Sequence, residues 1–463
     1  MTTAAGPGVP GGFLHEVTSV LGPGHVVLDP DLLAGYATDW TRRWTGDPAA
    51  ALRPSSPEEL AEVVRAARRH RVALVPQGGN SGLAGGATPL RGEVVVDMRR
   101  FTRLDPVDEL AGQVTVGAAI TPARLDAHLA GSGLAFGVDL GARDVATIGG
   151  MVATNAGGVH VIRHGHMRAQ VLGVQAVLGT GEVLEANLAG LHKDNTGLDL
   201  AGLLCGSEGT LGFVTAARLR LVARPEEVAT ALVGFASVDD AVAGAARLRH
   251  VEAVQAVELM VGAGLGLVAD HLGRPFPLPG PPTAVLLVES AGRGALAELG
   301  AAVEGLPGGA EVAVGEDAGQ RAGLWRWREG HPEAAAARGV VHKADVTLPA
   351  RELAGFVDAV PGLVERAWPG ATTLVYGHAG DGNVHVNVVG PPPEDHGVVD
   401  AVLEAVLARG GSVSAEHGIG TSKRDWLVRQ RGEVAVAAMR AVKAALDPDG
   451  VCNPNALLPP ASP

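Results

Sequence analysis

Tyr376-Gly-His-Ala-Gly-Asp-Gly-Asn-Val-His-Val-Asn387 sets His378 and His385 on either side of a glycine-rich turn. His385 and Asn387 are two residues apart, so on a strand they share a face. Downstream, Ser414-Ala-Glu-His-Gly-Ile-Gly420 adds Glu416 and His417. Two imidazoles and a carboxylate with open coordination positions suit a divalent metal such as zinc. A lone histidine in a loop would read as bonded to backbone; this cluster beside unusual glycines favours a site. Arg326, Arg328 and Lys343 are the candidate cations. A forked guanidinium matches a carboxylate substrate, although charges on the helix expected around Trp325–Gly330 would also suit a solvated face.

The second chemical signal is glycine. Asp139–Thr215 contains Thr147-Ile-Gly-Gly150, Ala153-Thr-Asn-Ala-Gly-Gly158 and Gly206-Ser-Glu-Gly-Thr-Leu-Gly212. Glycine lets backbone approach a ligand closely, at an entropic cost. Pro76-Gln-Gly-Gly-Asn-Ser-Gly-Leu-Ala-Gly-Gly86 has five glycines in eleven residues and follows an expected strand, Val72–Pro76. Such a loop exposes N–H groups that can nest phosphate oxygens. It is not a Walker loop, because the Gly-Lys-Ser/Thr ending is missing. We read these stretches as backbone wrapped around a polyanionic, flat ligand, a flavin dinucleotide. On composition alone, a glycine-rich turn region in an ordinary β domain fits as well. Gly6-Pro-Gly-Val-Pro-Gly11 matches GxGxxG in form, but no strand precedes it and its prolines have no N–H to donate.

These residues need elements to position them. A chain of 463 residues is expected to form two or three domains. Ser56-Pro-Glu-Glu59 reads as a capping box, and Leu60, Val63, Val64 and Ala67 give the helix it opens one apolar face. Helices are also expected at Phe13–Leu21, Thr121–Ala130, Val238–Leu248, Gly294–Val303, Leu353–Ala367 and Val434–Leu446. Strands are expected at Val94–Asp97, Gln113–Val116, Leu134–Phe136, Leu211–Leu221, Thr230–Phe235, Ala253–Leu259, Ala284–Val288, Val341–Leu348 and Thr372–Tyr376. Val171–Leu178 and Val183–Leu184 form a hairpin around Gly179-Thr-Gly181, and Leu272–Pro282 is a proline-rich loop. The character changes after Pro225, where a second α+β domain begins.

The bulk numbers exclude several classes. Hydrophobic content of 46% and charged content of 19% describe a globular chain. A net charge of −13 without a basic run argues against nucleic-acid binding. Two cysteines, Cys205 and Cys452, rule out a disulfide scaffold and an iron–sulfur cluster and suit a reducing cytoplasm. Met1–Phe13 lacks the features of a signal peptide. No apolar run reaches the roughly 18 residues of a membrane span, so association with a membrane would be peripheral.

Taken together and in order, Pro76–Gly86, Ala153–Gly158, His192-Lys-Asp-Asn-Thr-Gly197, Gly206–Gly212, Gly377–Asn387 and Glu416–Gly420 resemble flavin-dependent D-2-hydroxy-acid dehydrogenases of the vanillyl-alcohol-oxidase fold. The resemblance runs from about Asp39 to Leu458 and is strongest to the D-2-hydroxyglutarate, D-lactate and glycolate enzymes. It implies an α+β chain in three parts: an FAD-binding domain at 1–225, a substrate or cap domain with an antiparallel sheet at 226–415, and a catalytic loop and helix at 416–463 that pack on the FAD domain. It implies that Pro76, Gly78, Gly79, Asn80, Ser81, Gly82, Thr147, Gly149, Gly150, Asn155, Gly157, Gly158, Glu208, Gly209 and Asn453 line FAD. By the same resemblance His378, His385 and Glu416 hold the metal, His417 is the base, and Arg328, Lys343 and Asn387 contact the substrate. Asn80 and Ser81 stand where some relatives carry a flavin-linking histidine, so FAD is expected to be non-covalent. His164 replaces a tyrosine of an Arg-Tyr-Gly pattern. Pro332 stands four residues after Arg328, where the hydroxyglutarate enzymes carry a hydroxyl, which argues against a marked preference for that substrate.

The activity implied is oxidation of a D-2-hydroxy acid to the 2-oxo acid, with electrons passed to an electron-transfer flavoprotein or a quinone, by a cytoplasmic protein for which a homodimer is compatible. Alternatives weighed are a metal-dependent hydrolase, an oxygen-using oxidase of the same fold and a non-catalytic flavin-binding subunit.

Overall fold

The computed structural model of the chain describes residues 8–280 and 282–460. Gly6 and Pro7 of the rejected glycine motif, most of Met1–Phe13 and one residue of the proline-rich loop, Pro281, lie outside it. The chain divides into two compact units. One comprises the described residues up to Gly157, Gly165–Ala223 and the chain from Glu416 onward. The other comprises Gly158–His164 and Arg224–Ala415.

The first unit holds two sheets. β1 (Val26–Val27), β2 (Ala50–Leu52), β3 (Leu74–Gln77) and β4 (Val94–Asp97) lie in the order β1-β2-β4-β3, parallel except for the β1–β2 pair. A continuous apolar run such as Val94-Val-Val96 is what a strand covered on both faces requires, and all three valines are buried. Helix Pro57–His70 packs Leu60, Val63, Val64 and Ala67 into the same core as Leu74, Val94 and Val96. Ser56 Oγ accepts from Glu59 N (3.2 Å) as expected, but Glu59 reaches back to Ser55 N (2.6 Å), so the capping box closes one residue early. The second sheet is antiparallel. Its strands β5 (Gln113–Gly117), β7 (Val171–Leu178), β8 (Val183–Ala186) and β9 (Gly212–Ala223) run β5-β9-β7-β8, with β6 (Leu134–Phe136) on β9.

The second unit is one seven-stranded antiparallel sheet with helices. Its strands are β10 (Val228–Phe235), β11 (Val254–Val261), β12 (Ala284–Ala291), β13 (Gly309–Gly315), β14 (His342–Thr347), β15 (Thr372–His378) and β16 (Asn383–Val389), in the order β13-β10-β12-β11-β15-β16-β14. This is the α+β architecture, with an antiparallel sheet, that the sequence implied. The sequence reading had no strand at Gly309–Gly315 and no helix at Gly262–Leu272 or Gly397–Leu407. β13 is an edge strand whose Val312 and Val314 stay half exposed, so its pattern carries little burial signal. Among the described residues no helix is long and apolar enough to cross a membrane.

Candidate active site and cofactor cradle

Strand register builds the centre of the second unit. Glu258 of β11 stands opposite His378 of β15, and Tyr376 opposite His385 of β16. His385 faces Asp345 of β14, and Asn387 faces Lys343. Residues directly opposite one another share a face, as do residues two apart. Seven polar or aromatic side chains therefore stand on one face: Glu258, Lys343, Asp345, Tyr376, His378, His385 and Asn387.

Arg328, on helix Ala318–Ala336, completes the group. Its Nε donates to Glu258 Oε2 (2.7 Å), and its guanidinium lies 4.7 Å from the Tyr376 ring centre. His378 Nδ1 donates to Glu258 Oε1 (2.6 Å). Each oxygen of a fully buried carboxylate thus meets one donor. Burial alone would raise the Glu258 carboxyl; the charges of His378 and Arg328 and their hydrogen bonds outweigh it and hold it at about 2. With Nδ1–H committed to Glu258, Nε2 is the nitrogen left to ligate a metal when the imidazole is neutral. His385 Nδ1 stands 3.5 Å from Asp345 Oδ1. Asn387 Nδ2 donates to Tyr376 Oη (2.8 Å). Arg326, on the same helix as Arg328, is exposed.

Pro332 lies inside that helix. Having no N–H, it cannot serve the carbonyl of Arg328 four residues back. The side chain of His331 turns inward instead. Its Nδ1 sits 2.9 Å from Trp327 O and 3.3 Å from Arg328 O, and its ring packs 4.7 Å from that of Tyr376. His331 Nε2 is buried with no partner among the described residues. Burial first, and then the Arg328 charge, push its pKa down to about 3. Pro332 thus leaves out a helix bond, and the neighbouring His331 imidazole turns to the backbone carbonyls of Trp327 and, at longer range, Arg328.

In the first unit the expected cofactor residues sit mainly on loops. Pro76 lies in β3, one residue before its end, and Gly78–Gly82 follow the strand. A Cβ on Gly79 would lie 1.8 Å from Val145 O, and one on Gly78 2.4 Å from Thr147 Oγ1, so these loops touch only because both residues are glycine. Thr147 Oγ1 caps helix Ile148–Thr154 through Gly150 N (3.4 Å). Gly149 is packed against Ala118 and Gly209 against Pro76. Asn80, Asn155, Glu208 and Asn453 all take left-handed conformations, at φ 50°, 53°, 51° and 40°. Strain of this kind gathers where a chain must present backbone groups to a ligand. Asn453 Oδ1 is buried with no partner among the described residues, an open acceptor within this set. The loops, the left-handed residues and the open acceptor fit a dinucleotide. Gly158 belongs to the second unit, while Asn155 and Gly157 belong to the first.

Glu416 and His417 also belong to the first unit, where Glu416 Oε1 lies 3.5 Å from His417 Nε2. The expected site residues therefore form two groups: Arg328, Lys343, His378, His385 and Asn387 on the sheet of one unit, and Glu416 and His417 on a loop of the other. Glu258, Asp345 and Tyr376 were missed. The available signal was an acid set in an apolar strand, as in Val254-Gln-Ala-Val-Glu-Leu-Met-Val261.

Residues 48–187 match the sequence profile described as FAD binding domain, and 224–457 the one described as FAD linked oxidases, C-terminal domain. The chain is 36% identical over 449 residues to the mitochondrial D-2-hydroxyglutarate dehydrogenase of Bos taurus, covering 94% of this chain and 82% of the relative. It is 36% identical over 441 residues to the D-2-hydroxyglutarate dehydrogenase of Xanthomonas citri, covering 93% of each. Among solved structures, p-cresol methylhydroxylase superposes with a TM-score of 0.76 at 18% identity, over 96% of this chain and 97% of that one. Alkyldihydroxyacetonephosphate synthase gives 0.76 at 18% identity, over 97% and 86%. At that identity these two establish the fold alone, that of the vanillyl-alcohol-oxidase type. The chain therefore belongs to the family of FAD-linked oxidases, and it is an FAD-dependent oxidoreductase.

Proposed function

We propose that this chain oxidises a D-2-hydroxy acid to the corresponding 2-oxo acid. The observation that carries the reading is Arg328. It is buried and its Nε is paired with Glu258, while its two Nη groups have no protein hydrogen bond among the described residues. A fork with one donor neutralised and two left over is suited to a carboxylate. Lys343 and Asn387, paired across β14 and β16, supply further donors on the same face. The names of the relatives, D-2-hydroxyglutarate dehydrogenases, support the substrate class.

When bound, non-covalent FAD supplies the hydride acceptor, and a divalent cation such as zinc supplies a Lewis acid that makes the substrate hydroxyl more acidic. His378 and His385 would be the imidazole ligands of that cation, His378 oriented by the Glu258 carboxylate, and Glu416 keeps the ligand role given by its motif. His417 takes the hydroxyl proton, a role worth about 10²–10⁴ in rate. Asn387 is oriented by Tyr376, and Arg328 by Glu258 and the Tyr376 ring, so the anchoring groups are set before substrate arrives. Electrons then leave to an external carrier, an electron-transfer flavoprotein or a quinone.

A panel of D- and L-2-hydroxy acids with an artificial electron acceptor, with and without chelator, tests the reading. D-acids should reduce the dye, L-acids should not, and chelator should abolish the activity. Because Pro332 offers no donor, D-2-hydroxyglutarate should hold no large advantage over D-lactate. Reduction by L-acids alone, or none by any hydroxy acid, would overturn the proposal.

A further inference from the structure

Glu208 has a role apart from lining a cofactor. It is buried. Its carboxylate accepts two backbone hydrogen bonds, from Ile419 N to Oε1 (2.8 Å) and from Gly420 N to Oε2 (2.7 Å). Its carbonyl accepts from Asn453 Nδ2 (2.7 Å), which also donates to Gly86 O (2.9 Å). A Cβ on Gly418 would lie 3.0 Å from Glu208 Oε1, so the turn is pressed against the carboxylate. Farther along, Thr421 N and Ser422 N bond Ala84 O (2.9 and 3.1 Å), and Leu457 N bonds Gly420 O (2.9 Å). Backbone partners thus hold the far side of the turn, and Glu208 holds the near side, directly after Glu416 and His417. All of these residues lie in the first unit.

We propose that Glu208 is a positioning residue for His417, its two oxygens fixing the turn Gly418–Gly420 and with it the direction in which His417 leaves the backbone. The proposal rests on the reading of His417 as the base. Two adjacent amides need two acceptors about one carboxylate apart. Glutamine offers only one, and its NH₂ would face an N–H. Burying a carboxylate is costly, and burial does raise Glu208, against the two amide bonds and the Lys423 charge. A neutral side chain would avoid that cost but could not hold both amides.

The test is Glu208→Gln in the full, flavin-loaded chain. Hydrogen exchange at one of the two amides, Ile419 or Gly420, should quicken about ten-fold, the equivalent of one lost hydrogen bond. With D-lactate or D-2-hydroxyglutarate and an artificial acceptor, kcat should fall about 10–100-fold while KM changes less than about two-fold, the pattern of a misplaced catalytic group. On a His417→Ala background the same substitution should cost nothing further. Unchanged amide exchange would overturn the proposal, and so would an equal loss of kcat with and without His417. If His417→Ala alone keeps full kcat, the base assignment fails, while the exchange result still judges the contact. Should Glu208→Gln not fold, Gly418→Ala pushes the turn off the carboxylate from the other side and should give the same exchange and kcat changes; protected amides in that variant would count against the proposal.

Discussion

Glu258 and Glu208 are both buried carboxylates, and they titrate in opposite directions. Glu258 sits on a strand and faces two side chains that can carry full charge, Arg328 and His378. Glu208 sits in a left-handed turn and faces two backbone amides. Desolvation acts on both. At Glu258 the directly bonded Arg328 and His378 outweigh it; at Glu208 two amides and the Lys423 charge do so only in part, so the Glu258 pKa is held down and the Glu208 pKa is pushed up. The contrast separates two ways of building a site. The sheet fixes side chains against one another by register, and ion pairs supply the cohesion. The loops fix backbone against backbone, and a carboxylate serves as a shaped acceptor.

Glu258→Gln should have the largest effect. It leaves Arg328 buried without its counter-charge, which costs about 3–5 kcal/mol, and should sharply reduce activity; urea unfolding of the purified protein measures the first. Arg328→Ala should remove the charged hydrogen bond proposed to the substrate carboxylate, worth roughly 1.5–3 kcal/mol, so KM for a D-2-hydroxy acid should rise about ten- to a hundred-fold, with a smaller change in kcat. Steady-state kinetics decide it, and an unchanged KM would remove Arg328 from the binding site. Glu208→Gln should cost only about 1 kcal/mol of stability, well below Glu258→Gln. If the two cost the same, the distinction between ionic and amide partners fails.

The smallest effect is one of pH. The folded pKa of His331, about 3, lies below the ordinary histidine value of 6.5. Above that ordinary value neither folded nor unfolded chain binds the proton, and the contribution is complete. As pH falls toward 3 the unfolded chain takes up a proton the folded chain refuses, and stability is lost. His331→Phe keeps a ring against Tyr376 and should flatten this part of the melting-temperature profile between pH 6.5 and 4. A profile as steep as that of the parent would place the proton elsewhere.

Much of this was legible in the residues. Strand Val94–Asp97, the hairpin after Val171 and helix Pro57–His70 follow from local pattern, and local pattern is what a sequence displays. The residues of the motifs around His378 and Glu416 were legible in the same way; the chemistry assigned to them is a proposal. Glu258 did not, because its meaning comes from standing opposite His378, and that pairing joins strands far apart in the chain. Arg328 was legible as a cation, but its partner was not. Pro332 read as a missing donor to substrate; that it also vacates a helix bond taken up by His331 depends on a rotamer. Glu208 was legible as part of a glycine-rich motif, while its grip on Ile419 and Gly420 required the fold.

The chain passes between the two units at 157/158, 164/165, 223/224 and 415/416. The first unit is therefore discontinuous, and the order of synthesis matters to it. Leu74 of β3, on the edge of its sheet, donates to Val451 O and accepts from Asn453 N. Until the ribosome has released residues 451–453, that edge has no chain to cover it, and an uncovered strand edge is a template for pairing with other molecules. The second unit, Gly158–His164 with Arg224–Ala415, is complete earlier, once Ala415 has been made. A nascent chain of this protein should thus pass through a stage in which the seven-stranded sheet of the second unit is formed while the first unit waits with an open edge, and its yield should depend on how quickly residues 451–453 follow.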